Sequence, residues 1–137
     1  MIVLDTHVLV WLIEGSPNLG PSAKARVEDE ARTDRVGISA ITPWEIALLV
    51  VKGRLQLSMD VGVWVERALR TPGLELCPIE PAIALDAVRL ADDLHADPAD
   101  RFLIATARHW TAPLMTADAQ ILDYSARGHV RTVDAAR

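Results

Sequence analysis

Cysteine is almost absent from this sequence, and so are long apolar runs. Cys77 is the one cysteine in 137 residues, which excludes a disulfide framework or a Cys-based zinc site and is compatible with a reducing cytoplasm. A membrane-spanning helix needs about 18 consecutive apolar residues, but the opening apolar run contains Asp5 and His7 and ends at Glu14. We therefore expect a cytoplasmic protein with no membrane span and no secretory signal.

The chain also lacks an excess of basic residues over acidic ones. The chain has 19 acidic and 14 basic residues and a formal charge of −5, and 12 of the acids are aspartate. This balance excludes a protein whose main role is to coat nucleic acid. The sequence contains no P-loop and no Gly-x-Gly-x-x-Gly motif, which disfavours nucleotide and dinucleotide cofactors. The positions of the aspartates therefore decide which chemistry is available.

Short strand-like segments alternate with amphipathic segments along the chain. This order predicts an α/β fold in which parallel strands are joined by right-handed helical crossovers. The length fits one domain over residues 1–137. We predict strands at Ile2–Leu4, 35–40, 74–78, 113–117 and 130–133. We predict helices at 8–13, 21–32, 42–52, 60–70, 82–94, 97–110 and 119–126.

Four acidic residues occupy comparable places in this pattern. Asp5 and Asp118 directly follow predicted strands, whereas Glu45 and Asp100 lie in the first turns of predicted helices. The carboxyl ends of parallel strands share one edge of the sheet, and ligands bind there where the strand order reverses. We therefore expect Asp5 and Asp118 to approach each other, with Glu45 and Asp100 facing the same crevice.

Each of these positions also has a simple structural explanation. Asp5 and Asp118 could cap the helices that follow them, and Asp97 could cap the helix before the fourth strand. Thr42 and Glu45 have the spacing of a capping box. A cap contributes about 1 kcal/mol, so each acid taken alone leaves both interpretations open.

A cluster of all four acids requires compensation. Two carboxylates about 4 Å apart repel by about 4 kcal/mol at an effective dielectric constant near 20, which exceeds what the caps contribute. A divalent cation removes this repulsion, and hard oxygen ligands suit Mg²⁺ or Mn²⁺. Such an ion polarises a phosphoryl oxygen and lowers the pKa of a bound water. The clustered acids therefore indicate a metal-dependent phosphodiesterase.

Four motifs follow one another along the chain. They are Met1–Trp11 (MIVLDTHVLVW), Trp44–Ala47 with 52–55 (WEIA and KGRL), 97–107 (DPADRFLIATA) and 114–118 (LMTAD). Together they resemble the PIN domain and, within that family, the VapC-type toxins of bacterial and archaeal toxin–antitoxin pairs. The resemblance covers essentially the whole chain, and four motifs in the family's order are far more specific than any one of them.

The resemblance implies both a fold and an activity. The fold is a PIN-like three-layer α/β/α sandwich with a mainly parallel central sheet. The activity is that of a Mg²⁺- or Mn²⁺-dependent endoribonuclease, which hydrolyses RNA with a metal-activated water. The resemblance also implies a cognate VapB-like antitoxin that covers the site, and a homodimer that can enter a larger toxin–antitoxin assembly.

The acidic positions of the family match four residues of this chain. Asp5, Glu45, Asp100 and Asp118 correspond to the first, second, third and fourth acids. The resemblance places Asp5, Asp100 and Asp118 nearest the metal, and gives Glu45 a contact through water or a role in orienting the nucleophile. Asp97 is an alternative ligand near the third position, although we favour a capping role for it.

Other residues near the motifs have less specific interpretations. Thr116 matches a polar position that could hold a metal-bound water, and Arg101, next to a proposed ligand, could contact phosphate. Lys52 and Arg54 could also contact phosphates or could belong only to a solvated face. Trp44 could stack on an RNA base, but its aliphatic neighbours favour packing in the core or at a subunit interface.

A second interpretation of the whole chain also stays open. The protein could be a PIN-like module that binds RNA or a protein partner without cutting RNA. All four acidic positions are filled, which favours catalysis. Metal-dependent cleavage is the property that separates the two interpretations.

Overall fold

Strands and helices alternate along the chain in the computed structural model, which describes residues 1–91, 94 and 97–137. The strands are β1 Ile2–Leu4, β2 Val36–Ser39, β3 Leu74–Cys77, β4 Leu114–Thr116 and β5 Thr132–Asp134. The helices are α1 Thr6–Glu14, α2 Pro21–Thr33, α3 Ile41–Val51, α4 Val61–Leu69, α5 Pro81–Arg89, α6 Pro98–His109 and α7 Ala119–Ala126. Within the described residues, none of these helices has the length and apolar character needed to cross a membrane.

The strands form one parallel sheet in the order β3-β2-β1-β4-β5. The chain builds outward from β1 to β2 and β3 on one side, and then adds β4 and β5 on the other. The strand order therefore reverses between β1 and β4, where a crevice forms at the carboxyl ends of parallel strands. Leu4 of β1 pairs with Met115 of β4, so the segments that follow these two strands begin side by side.

The central strand β1 is buried on both of its faces. Ile2 and Leu4 pack in one apolar core and Val3 packs in another, as the two-residue period of a strand requires. The first core includes residues of α1, α2, α3 and α4, and the second includes residues of α6 and α7. Helices thus cover both faces of the sheet, which confirms the predicted three-layer α/β/α fold.

Most predicted boundaries lie within two residues of the observed ones, and two of the differences are informative. The helix predicted at 82–94 ends at Arg89, because Leu90 has extended backbone angles (φ −57°, ψ 145°), and part of its predicted last turn lies outside the described residues. Leu90 and Leu94 are nevertheless buried in the second core, so the apolar pattern that suggested a longer helix reflects their burial. The last strand, predicted at 130–133, lies at Thr132–Asp134.

The capping box predicted at Thr42 and Glu45 is wrong. Helix α3 begins at Ile41, has Ala40 as its N-cap and makes no side-chain capping bond. Thr42 is instead fully buried, with its hydroxyl oxygen 3.3 Å from that of Thr6 in α1. Glu45 therefore has no capping role at the start of α3.

Candidate active site

A pocket of about 260 Å³ lies at the carboxyl edge of the sheet, beside the reversal of strand order. We call it the acidic pocket because five carboxylates line it, together with His7, Trp11 and Ala117. The five carboxylates belong to Asp5, Glu45, Asp97, Asp100 and Asp118. The structure thus brings together the four acids that the sequence singled out and adds Asp97 to them.

Four separate segments supply these carboxylates. Asp5 follows β1 directly, and its backbone N–H donates to the Met115 carbonyl at 2.9 Å. Asp118 follows β4 after one intervening residue, and Glu45 lies in the first turns of α3, the helix after β2. The start of α6 supplies the other two acids. The pocket therefore depends on the parallel sheet, which aligns the exits of β1, β2 and β4.

Asp5 is the most deeply buried of these acids. Its side chain is buried, and its Oδ2 accepts a 2.6 Å hydrogen bond from the Thr116 hydroxyl. That hydroxyl in turn accepts a 3.0 Å hydrogen bond from the Asp118 backbone N–H. Burial raises the pKa of Asp5, and the Thr116 bond lowers it only in part. Because the single Thr116 proton is directed at Asp5, this threonine orients a carboxylate of the pocket.

Asp97 and Asp118 have a second role as helix caps. Asp118 Oδ1 accepts from the backbone N–H groups of Gln120 at 2.8 Å and Ile121 at 3.1 Å. Asp97 Oδ1 accepts from the backbone N–H of Asp100 at 3.0 Å. These capping bonds use one oxygen of each carboxylate, so the capping role and a role in the pocket are compatible.

Asp100 lies where the negative charge is most concentrated. Carboxylate oxygens of Glu45, Asp97 and Asp100 lie within 4.8 Å of one another. Burial, followed by the charges of Asp97 and Asp5, raises the pKa of Asp100 to about 8. Burial also raises the pKa of Glu45, and Asp5 and Asp97 add to that rise. These are the shifts expected when carboxylates are gathered away from water without a counter-charge.

The donor set of the acidic pocket fits a hard divalent cation. The grouped donors are carboxylate oxygens, which Mg²⁺ and Mn²⁺ prefer. Glu45 Oε1 is buried and has no hydrogen-bond partner among the residues that the structure describes. An unpaired buried acceptor destabilises the fold unless another group compensates it. A cation held by Asp100 and its neighbours would compensate both this oxygen and the repulsion among the carboxylates.

Two predicted site residues do not line the acidic pocket. One is Thr116, which is fully buried and donates its proton to Asp5 instead of a metal-bound water, and the other is Arg101. Its guanidinium donates to the backbone carbonyls of Ala87 at 3.2 Å and Leu94 at 2.7 Å. Arg101 therefore ties α6 to α5 and to the segment after it. His7 lines the acidic pocket instead, and the only sequence signal for it is its position two residues after Asp5.

The fold and the site together define a class of protein. It is a parallel α/β domain that gathers carboxylates from several segments at the switch point of its sheet, in an arrangement suited to a divalent cation.

Comparison with known proteins agrees with this class. The PIN domain pattern matches residues 2–126, and the chain belongs to the PIN domain family. Ribonuclease VapC22 of Mycobacterium tuberculosis is 32% identical over 123 residues, which is 88% of this chain and 88% of that protein. The resemblance inferred from the four motifs is thereby confirmed.

Two solved structures share the fold at low sequence identity. VapBC2 from Rickettsia felis, bound to a promoter DNA fragment, superposes with a TM-score of 0.71 at 18% identity and covers 97% of this chain and 98% of its own. VapBC-1 from nontypeable Haemophilus influenzae has a TM-score of 0.69 at 19% identity and covers 100% of both chains. At these identities the similarity establishes the fold alone.

Proposed function

We propose that this protein is a metal-dependent endoribonuclease that acts in the cytoplasm as the toxin of a toxin–antitoxin pair. The observation that carries the proposal is the acidic pocket, where five carboxylates from four segments converge. Two further facts support it: the relative from M. tuberculosis is named a ribonuclease, and the structural relatives are named VapBC proteins. RNA is the proposed substrate, and Mg²⁺ or Mn²⁺ is the proposed cofactor.

The carboxylates of the acidic pocket would have different roles. We assign Asp5, Asp100 and Asp118 to hold the cation, with Asp97 as a further candidate because its carboxylate lies beside that of Asp100. When bound, Mg²⁺ or Mn²⁺ polarises a phosphoryl oxygen and lowers the pKa of a water. Thr116 keeps Asp5 in a fixed direction through the hydrogen bond to Oδ2.

Glu45 is placed to act on the attacking water. Burial raises its pKa in the metal-free protein, and a cation bound among the neighbouring carboxylates would lower it again and keep Glu45 in the ionised form that a general base requires. Its unpaired Oε1 is the atom that would accept the proton. Water would then attack the phosphorus atom of the RNA phosphodiester in line, the bond from phosphorus to the 3′-oxygen would break, and the leaving oxygen would take a proton from solvent. The products carry a 5′-phosphate and a 3′-hydroxyl.

Replacing Asp100 by Asn tests the activity. We expect Asp100→Asn to reduce cleavage of a fluorescent RNA in Mn²⁺ by about 100-fold or more, because a metal-ligand position contributes at least as much as the outer-shell partners that tune it. The control is Asp123→Asn, the same change at an exposed carboxylate on α7 that pairs with Arg127. The same variants should differ in Mn²⁺-induced thermal stabilisation, which reports binding without cleavage.

Two outcomes would contradict the assignment. Cleavage that persists in Asp100→Asn, or that persists in EDTA, would exclude a metal site at the acidic pocket. RNA binding by the wild-type protein with no cleavage in Mg²⁺ or Mn²⁺ would instead favour the non-cleaving PIN-like module. Comparison of the two ions in the same assay would identify the one that supports the reaction.

The toxin role requires its own experiment. A VapB-like antitoxin that covers the pocket should be encoded by a neighbouring reading frame, and the toxin should form a homodimer within the complex. We expect growth arrest when the protein is expressed alone, and recovery when that neighbour is co-expressed. Growth arrest by Asp100→Asn at equal expression would mean that the toxicity does not arise from cleavage.

A further inference from the structure

A second pocket continues the acidic pocket along α3. It has a volume of about 250 Å³ and shares Glu45 and Asp97 with the acidic pocket. Away from these two acids it is lined by Trp44, Lys52 and Arg54 and by four apolar residues, namely Leu48, Leu49, Pro98 and Ala99. We call it the flanking pocket. Its lining thus changes along its length from carboxylates to an indole ring and two cations.

The indole and the first cation lie on one face of α3. Trp44, Leu48 and Lys52 are spaced four residues apart, which makes them neighbours on a helix surface. The Lys52 backbone N–H still bonds to the Leu48 carbonyl at 3.0 Å, so the helical turn reaches Lys52. Trp44 is 52% exposed, which corrects the expectation that it packs in the core. The rise of about 1.5 Å per residue places Lys52 about 10 Å from Glu45 along the helix axis.

A tight turn brings the second cation beside the first. Gly53 has φ +70°, a left-handed conformation that glycine adopts without steric cost. The Arg54 backbone N–H bonds to the Leu49 carbonyl at 2.9 Å, so the chain folds back over the end of α3. Lys52 and Arg54 flank this glycine and line the same pocket.

These two cations have no acidic partner among the described residues. Seven arginines of the described chain form ion pairs with acidic side chains, namely Arg26, Arg32, Arg35, Arg70, Arg108, Arg127 and Arg137. Glu45 and Asp97 lie at the end shared with the acidic pocket, so the two exposed cations make the other end of the flanking pocket positive in a protein with a net charge of −5. This positive end is complementary to a phosphate backbone.

We propose that the flanking pocket is the subsite for the RNA strand next to the phosphate that is cut. Trp44 stacks on a base, and Lys52 and Arg54 bind a neighbouring phosphate. An exposed aromatic ring stacks on any base, and cations that track the backbone accompany such rings in single-strand binding sites. This inference rests on the proposed function, because the acidic pocket must hold the phosphodiester from which the strand extends.

Removal of the two cations tests the phosphate contact. Binding of a short fluorescein-labelled single-stranded RNA is measured by anisotropy in EDTA, so that cleavage does not interfere. We expect Lys52→Gln/Arg54→Gln to raise Kd about tenfold and to reduce the slope of log Kobs against log salt by about 0.7, since the two cations share one phosphate and each phosphate contact to a single strand contributes about 0.7. Lys24→Gln/Arg67→Gln is the matched control, since it removes the same two charges from exposed positions on α2 and α4.

Replacement of the indole tests the stacking contact. Trp44→Leu keeps an apolar side chain but removes the aromatic face, and we expect it to raise Kd about fivefold. The wild-type protein should show quenching of tryptophan emission when RNA binds, and Trp44→Leu should lose most of that quenching. Val51→Ala, which removes another exposed apolar side chain of α3, should change neither quantity.

Two results would overturn the inference. One is an unchanged Kd and salt slope in both flanking-pocket variants. The other is a sedimentation experiment in which Trp44→Leu converts a dimer to a monomer while RNA binding stays the same, because this would make the face a contact between copies. Failure of the proposed function looks different: the wild-type protein would not cleave RNA in Mn²⁺ or Mg²⁺, whereas the binding differences in EDTA would remain.

Discussion

Thr116 organises the candidate site through one hydroxyl group. It donates to Asp5 Oδ2 and accepts from the Asp118 backbone N–H, and it lies 111 residues from Asp5 in the chain. A hydrogen bond to a charged group contributes about 1.5–3 kcal/mol, and this one also fixes the direction of a carboxylate. The orientation of an acid in the site therefore depends on Thr116, a residue that is not itself an acid.

The first prediction concerns this hydroxyl. Thr116→Val preserves the shape of the side chain but leaves Asp5 without its donor, so we expect a loss of about 1–3 kcal/mol in the free energy of unfolding. We also expect slower RNA cleavage, because Asp5 loses its orientation. Denaturant unfolding and the Mn²⁺ cleavage assay measure the two effects. Thr116→Ser restores the hydroxyl and should recover most of both; equal losses in the two variants would assign the effect to the methyl group.

At the scale of the element, the N-cap residue of α6, Asp97, has two roles. Asp97 caps the helix through the Asp100 backbone N–H, and its carboxylate lies with those of Glu45 and Asp100. Capping needs an acceptor oxygen, which Asn also provides. Metal binding favours the negative charge that only Asp provides. The two roles can therefore be separated by substitution.

The second prediction uses this difference. Asp97→Asn should keep the stability of the metal-free protein and weaken Mn²⁺ binding, whereas Asp97→Ala should in addition lose about 1 kcal/mol of unfolding free energy. Titration calorimetry with Mn²⁺ and thermal melting measure the two quantities. The matched control is Asp60→Asn at the cap of α4, where Asp60 accepts from Gly62 and Val63. Unchanged Mn²⁺ affinity in Asp97→Asn would leave Asp97 as a cap alone.

The helices also show which features can be predicted from neighbouring residues in the sequence. Helix α7 spans Ala119–Ala126, as predicted, because its cap at Asp118 is a local signal. The capping role of Thr42 at the start of α3 was predicted wrongly because the partner of the Thr42 hydroxyl, Thr6, lies 36 residues away. In the site, the convergence of the acids was predictable from the strand exits. The direction of Arg101 was not, because its two acceptor carbonyls become neighbours only in the folded chain.

For the whole molecule, the acid surplus is unevenly distributed. Five of the 19 acids line one pocket of about 260 Å³. The parallel sheet creates this concentration, since exits from β1, β2 and β4 meet at the reversal of strand order. The metal-free fold must therefore tolerate a repulsion that its other contacts offset. The stability of the entire chain should depend on the charge state of this pocket.

The last prediction is the pH dependence of that stability. The pKa of Asp100 is about 8 in the folded protein, against an ordinary value of 3.8 for an aspartate in water, so between these pH values the folded chain keeps a proton that the unfolded chain has released. Stability in EDTA should then fall as pH rises from about 4 to about 8, and level off above. Burial also raises the pKa of Asp5 and Glu45, which acts in the same direction. Thermal melting across this pH range measures the effect.

Two controls connect this fall to the acidic pocket. Asp100→Asn has no charge to bury and should show a shallower decline, whereas Asp123→Asn on exposed α7 should decline as the wild-type protein does. Mn²⁺ should restore stability most at the upper end of the range, because a cation binds the ionised carboxylates and ligand binding to the folded state stabilises it. If the melting temperature of the wild-type protein in EDTA rises from pH 5 to pH 8, the raised pKa of Asp100 does not control its stability and the prediction is wrong. In that case, repulsion among the carboxylates of the acidic pocket would not determine how the stability of the metal-free protein depends on pH.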